Sequence, residues 1–120
     1  MIIGTGIDLT EIERIKQMHV EHPHMFDKIL TPNERAQYEK RQGQAKAEYL
    51  AGRFSLQESF SKALGTGIGR HFSFQDAEFL DDELGKPHAV QSVFDGVVHV
   101  SVSHTAQLVM TQVILEGKPE

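Results

Sequence analysis

Three side chains in this sequence can handle a phosphate together if the fold brings them to one place: Asp8, Glu58 and Lys62. Asp8 follows the apolar run Met1 to Ile7, while Glu58 and Lys62 lie one turn apart in a stretch that reads as helix and so share a face. Two carboxylates from separate elements can hold a hard divalent cation through oxygen, with water or phosphate oxygens completing its shell, and a nearby ammonium neutralises a phosphate. The same residues also admit a plainer reading, in which Glu58 and Lys62 form a helical ion pair worth roughly 0.2 to 0.5 kcal/mol and Asp8 caps a following helix. Spacing alone does not choose between them.

Other clusters are weaker. Ser101, Ser103, His104 and Thr105 fall at the end of an alternating strand pattern, where hydroxyls, an imidazole and backbone amides can grip phosphate oxygens. A Ser-His-carboxylate hydrolase would want a G-x-S-x-G turn, which is absent. Gly4-Thr5-Gly6 lacks a third spaced glycine, and Gly65-Thr66-Gly67-Ile68-Gly69 follows a helix and precedes a strand, the reverse of a dinucleotide fingerprint. Both read as tight turns. His19, His22 and His24 around Pro23 read as a polar helix end.

The elements that must position these residues are legible in outline. Met1 to Ile7 reads as a strand giving way near Asp8 or Thr10 to a helix whose stripe is Leu9, Ile12, Ile15 and Met18, and which ends at His22-Pro23. Thr31-Pro32-Asn33-Glu34 predicts a helix start with a capping box. The longest helix is predicted over 45–64, closed by Gly65, with Ala47, Ala51, Phe54, Glu58 and Lys62 in one drifting column. After it come a strand over 72–80, an acidic turn at Asp81-Asp82-Glu83, a turn at Gly85-Lys86-Pro87, a hairpin at Asp95-Gly96, and strands with Val98, Val100 and Val102 on one face and a return from Leu108 to Leu115.

Composition bounds the function. The chain has 120 residues, 12 Lys and Arg against 17 Asp and Glu, a net charge of -5, and no cysteine. The length suits one domain, 1–120. The charge excludes a broad basic surface for nucleic acid, and the absence of cysteine excludes disulfides and thiolate chemistry. The start M-I-I-G-T-G-I-D has no basic leader and no long apolar run, so no signal peptide or membrane span is expected and the expected setting is the cytoplasm. Residues 12–41 carry six basic against five acidic side chains on an otherwise acidic protein, a face that can receive an acidic partner.

Taken in order, G-I-D-L-T-E-I-E-R-I from Gly6 to Ile15, I-L-T-P-N-E, Y-L-A-G-R-F-S-L-Q-E-S-F-S-K-A-L-G-T-G-I-G, G-K-P, H-V-S-V-S-H-T and the closing T-Q-V-I-L-E resemble the small 4'-phosphopantetheinyl transferases of the bacterial holo-[acyl-carrier-protein] synthase family. The resemblance implies an α+β fold, N-terminal helices packed against an antiparallel sheet, assembled as a homotrimer with sites between subunits. It implies Mg2+ held by Asp8 and Glu58, with Lys62 on the coenzyme A pyrophosphate. Arg53, His104 and Thr105 would hold the nucleotide end, with Gly65 and the Gly85-Lys86-Pro87 turn bordering the pocket. Arg14, Met18, Met25 and Phe26 would meet an apo-acyl carrier protein, whose serine would take 4'-phosphopantetheine and release adenosine 3',5'-bisphosphate. A coordinated carboxylate has its basicity lowered, so a metal-bound water relayed by Glu58 is favoured as the base over Glu58 acting directly.

The sequence departs from the family at Gln57, where a lysine commonly precedes the metal-binding Glu, and Gln57→Lys is expected to tighten coenzyme A binding by adding charge near phosphates. Two other functions fit the same residues. One is a metal-dependent nucleotide or pyrophosphate hydrolase, with water replacing the serine. The other is a non-catalytic module that binds coenzyme A or the carrier.

Overall fold

A computed structural model describes residues 1–68 and 72–119; Gly69, the last of the spaced glycines, lies outside them. The chain runs β1 (Ile2–Glu11), α1 (Ile12–Glu21), α2 (Pro23–Ile29), α3 (Pro32–Glu39), α4 (Gly43–Leu64), β2 (Ala77–Asp81), β3 (Pro87–Gln91), β4 (Gly96–His104) and β5 (Leu108–Gly117). β1, β5 and β4 form an antiparallel sheet in the order β1-β5-β4, and β2 and β3 form a separate antiparallel pair. This is the expected α+β arrangement of N-terminal helices on antiparallel strands.

The long helix α4 is the centre. Residues from Tyr49 to Ala63 are buried almost all the way round it, because the three-stranded sheet covers one side and β2 the other. Ser55 and Ser59 bond to Thr111 of β5, whereas Arg53 and Gln57 bond to the main chain of β2. Apolar packing gathers at both ends of the helix. Ile12, Ile15, Phe26, Ile29 and Leu50 form one cluster, and Leu56, Phe60, Phe72, Phe79 and Val113 form the other. Phe60 stacks on Phe72 at 5.1 Å between centroids and meets Phe79 edge-on at 6.1 Å.

Local signals hold at the helix ends. The Thr31 hydroxyl accepts from Glu34 N at 3.2 Å, and Thr31 N donates to Glu34 Oε1 at 3.0 Å, completing the capping box. Gly65, at φ 80°, is the left-handed residue that closes α4.

The strands depart from sequence expectation. β1 continues through Asp8, Leu9, Thr10 and Glu11, which pair with Thr111, Met110, Val109 and Leu108, so no helix begins at Asp8. Leu9 therefore belongs to a strand period of two. It is 62% exposed on the outer face, while Thr10 is buried toward α4. Cross-strand pairing outweighs a three-residue spacing that begins one turn too early. β2 is shorter than expected because 73–76 form a turn closed by Asp76 N donating to Ser73 O at 3.0 Å. The acidic turn starts one residue late: Asp81 is in β2, and Gly85 N donates to Asp82 O at 2.9 Å. Asp95-Gly96 is not a hairpin turn between paired strands, since β3 pairs with β2 while Gly96 opens β4 opposite Gly117.

One sheet face lies against α4 and the other is uncovered. Ile3, Ile7 and Leu9 of β1 and Met110 of β5 stand 45% to 62% exposed. No helix among the described residues is long and apolar enough to cross a membrane.

Candidate active site

The site is built where β1 presses on the C-terminal half of α4. A Cβ at Gly4 would overlap Ala63 O, and one at Gly6 would overlap Ser59 O. The Gly4-Thr5-Gly6 run is therefore not a tight turn but a strand whose helix-facing positions have no side chain, allowing backbone to approach backbone. The next helix-facing residue along β1 is Asp8, which the approach aims at α4.

Asp8 is 13% exposed at its side chain. Its Oδ2 accepts from Thr10 Oγ1 at 2.6 Å and from Ser55 Oγ at 2.8 Å. Its Oδ1 accepts from Lys62 Nζ at 3.3 Å, and Lys62 also donates to Ile7 O at 3.0 Å. Glu58 lies half-buried one turn before Lys62. Burial, and then the negative charge of Asp8, raise its pKa above the ordinary glutamate value, while Lys62 and Arg14 pull the other way. The N-cap of α1 is Glu11, with no side-chain cap, so the capping role considered for Asp8 is excluded. Asp8, Glu58 and Lys62 thus share one site, with two carboxylates facing a single half-exposed ammonium.

The other expected site residues are spread over the molecule. Gly65 closes α4 next to Lys62. Gly85, Lys86 and Pro87 form the tip of the β2–β3 hairpin, on the far side of α4 from β1. His104 ends β4, with Nε2 3.6 Å from Glu48 Oε2, and Thr105 shapes the following turn by donating N–H to Leu108 O at 2.8 Å. Glu48 precedes Glu58 by ten residues of α4, about 15 Å along its axis. A groove of about 570 Å³ lies nearer that turn, between Leu9, Glu11, Ile12, Gln44 and Gln107, and is not centred on the carboxylates.

Three expectations are corrected. Arg53, expected at the nucleotide end, is 4% exposed at its side chain; it donates Nε–H to Phe79 O at 2.9 Å and Nη2–H to Asp81. Its guanidinium lies 4.1 Å from the Tyr49 ring centroid, and Arg41 lies on the same ring at 4.2 Å and pairs with Asp81 at 2.7 Å. Burial pushes the Tyr49 phenol up to about 12. Phe26, expected to meet a carrier, is 3% exposed and belongs to the core, while Met18 and Met25 pack partly against it and Arg14 stays exposed. Gln57 is fully buried toward β2, with Nε2 donating to Ala77 O at 2.9 Å and Oε1 without a hydrogen-bond partner among the described residues. A lysine there would add charge to the interior side of α4 rather than to phosphates at Asp8.

Sequence reasoning missed Thr10, Ser55, Ser59 and Thr111, which are all buried behind Asp8. The local signal was the i, i+4 pair of serines on a helix face that must be covered.

Residues 4–113 match the family model described as the 4'-phosphopantetheinyl transferase superfamily. A holo-[acyl-carrier-protein] synthase of Limosilactobacillus fermentum is 57% identical over 97% of this chain and 98% of its own length. One of Staphylococcus aureus is 49% identical over 97% of each. Among solved structures, a holo-(acyl-carrier-protein) synthase of Bacillus anthracis in complex with CoA (3',5'-ADP) superposes with a TM-score of 0.91 at 42% identity, covering 98% of this chain and 99% of that one. The Neisseria meningitidis synthase gives 0.86 at 31% identity, covering 97% of this chain and 99% of that one.

Proposed function

This chain belongs to the 4'-phosphopantetheinyl transferase superfamily, within its holo-[acyl-carrier-protein] synthases, and we propose that Asp8, Glu58 and Lys62 are the centre at which it works. The enzyme transfers 4'-phosphopantetheine from coenzyme A to the acceptor serine of an apo-acyl carrier protein and releases adenosine 3',5'-bisphosphate. The juxtaposition of Asp8 and Glu58 on one side of α4, where burial first and the charge of Asp8 second raise the Glu58 pKa, carries the proposal.

The donor set suits Mg2+. Among the described residues no group of three or more His, Cys, Asp or Glu converges, and Mg2+ commonly takes one or two carboxylates and fills its octahedron with water and substrate phosphates. Bound by Asp8 and Glu58, it would offset negative charge developing on the phosphoryl oxygens. Lys62, half-exposed beside Asp8, neutralises the leaving bisphosphate. The serine oxygen forms the new bond to the β-phosphorus as the bridging P–O bond breaks. Glu58 relays the serine proton through a water, since a carboxylate that also holds a cation is a poor base by itself.

His104, Thr105 and the Gly85-Lys86-Pro87 turn lie away from Asp8 within one chain, which supports the nucleotide pocket shared between subunits of a homotrimer that the resemblance implies. The uncovered Ile3, Ile7, Leu9 and Met110 face supports such an assembly. Arg14, Met18 and Met25 on the near-neutral helical face would meet the acidic carrier.

Intact-protein mass spectrometry of an apo-carrier with this enzyme, coenzyme A and Mg2+ tests the reading, with sedimentation reporting the number of chains. A gain of one phosphopantetheinyl group, lost with EDTA and with an acceptor-serine-to-alanine carrier, is expected. Phosphate products without carrier would indicate the hydrolase, and coenzyme A binding without product the module.

A further inference from the structure

Behind Asp8 four hydroxyls are sealed from water: Thr10 and Thr111 are 1% exposed, and Ser55 and Ser59 are fully buried. Ser55 Oγ lies 2.8 Å from Asp8 Oδ2 and 2.8 Å from Thr111 Oγ1, and Thr111 Oγ1 lies 2.7 Å from Ser59 Oγ. Three hydroxyl protons serve these three contacts, and Ser59 has a second, longer acceptor in Thr111 O at 3.2 Å. An ionised carboxylate only accepts, so Ser55 donates to Asp8; the proton between Ser55 and Thr111 then comes from Thr111, and the one between Thr111 and Ser59 from Ser59. The Ser55 and Thr111 protons have one solution and the Ser59 proton takes the nearer of its two acceptors, so every donor points toward Asp8, and Thr10 adds a second donor to the same oxygen at 2.6 Å.

We propose that Ser59, Thr111 and Ser55 form a one-way chain of hydroxyl donors that, with Thr10, positions Asp8 by saturating Oδ2 from the interior and leaving Oδ1 to the cation and Lys62. This rests on the reading of Asp8 as a metal ligand. Groups that hold a ligating carboxylate fix its rotamer and the oxygen it presents, and low surrounding polarity strengthens each link. Thr111 stands directly opposite Asp8 in the β1–β5 register yet reaches it through Ser55 of α4, so the chain also ties the two elements that carry the metal ligands.

Mere pairing of buried hydroxyls is the competing explanation, and Ser55→Ala separates the two. Without Ser55, Thr111 can donate to Ser59 Oγ and Ser59 to Thr111 O, now 3.2 Å away. Every remaining hydroxyl of the chain keeps a partner, and only Asp8 loses one. Mn2+ is titrated into the enzyme with coenzyme A and no carrier, free Mn2+ being read by electron paramagnetic resonance, alongside thermal unfolding. Ser55→Ala should weaken Mn2+ binding about tenfold, the low end for groups that orient a metal ligand because Thr10 still donates, with the unfolding midpoint near that of the wild type. Thr111→Val should weaken it less, Thr111→Ser should restore it, and Ser59→Ala should weaken it least. Wild-type affinity in Ser55→Ala, or losses that follow thermal stability across the series, would overturn the chain while leaving the metal site standing. Failure of the wild type itself to bind Mn2+ would overturn the metal site and the chain together.

Discussion

On the side of α4 turned to β2, Arg53 and Arg41 pair with Asp81 and flank the Tyr49 ring. On the side turned to β1, Asp8 and Glu58 bring two negative charges together with Lys62, which is half-exposed. Both are charged clusters against the same helix, but they differ in how far their charges are satisfied inside the protein. The first is a lock: a buried guanidinium whose Nε–H and Nη2–H meet a carbonyl and a carboxylate holds the β2–β3 hairpin to α4. The second is left more open: Lys62 and Arg14 are exposed cations beside the two carboxylates, and Glu58 still has its pKa raised, the condition under which a cation or a phosphate-bearing substrate completes the arrangement. Charge on a helix is therefore no guide to function until its partners are counted.

The sharpest way to break the contrast is Asp8→Asn, which keeps an acceptor for Thr10 and Ser55 but removes the charge. It should cost roughly two to three orders of magnitude in kcat/KM with little change in unfolding midpoint, followed by carrier mass spectrometry and thermal unfolding. Retained activity across a Mg2+ titration would put the open cluster in the same class as the lock. Arg53→Met should do the reverse, costing about 3 kcal/mol in urea unfolding because it leaves Asp81 short of one partner, while KM for coenzyme A below the transition stays unchanged. A raised KM with unaltered stability would return Arg53 to the nucleotide pocket.

A smaller effect concerns Glu34, buried under the lock, whose carboxylate accepts from Thr31 N and Phe79 N at 3.0 Å each. Desolvation raises its pKa above 4.5 in spite of those two bonds. The folded state thus binds a proton that the unfolded chain has released, so the contribution is fully present below the ordinary value and is lost as pH rises through the raised one. The stability advantage of the wild type over Glu34→Gln should shrink over that window. An advantage independent of pH would show that the two backbone donors cancel the cost of burial.

Legibility followed the range of the interaction. The Thr31 capping box and the Gly65 stop were readable because each is settled within a few residues. The site's three charged residues were readable from type and order, and the resemblance named their chemistry. Leu9 was misassigned because its strand partner Met110 lies across the sheet, and Arg53 because burial against Phe79 and Asp81 cannot be seen in a helix pattern. The hydroxyl chain joins residues up to 56 positions apart, and no local spacing announces Thr111 as the partner of Ser55.

By itself, the sequence determined the helix boundaries around Thr31 and Gly65 and the α+β class, since these depend on side-chain chemistry and short-range backbone geometry, and it marked Asp8, Glu58 and Lys62 as candidates whose role the resemblance implied. Only the tertiary structure decided that β1 runs past Asp8, that its glycines let it sink against α4, that Arg53 is locked and Lys62 open, and that one oxygen of Asp8 is held from within. Those outcomes depend on which surfaces exclude water and which distant donors meet which acceptors, and the packing of strands onto α4 settles both.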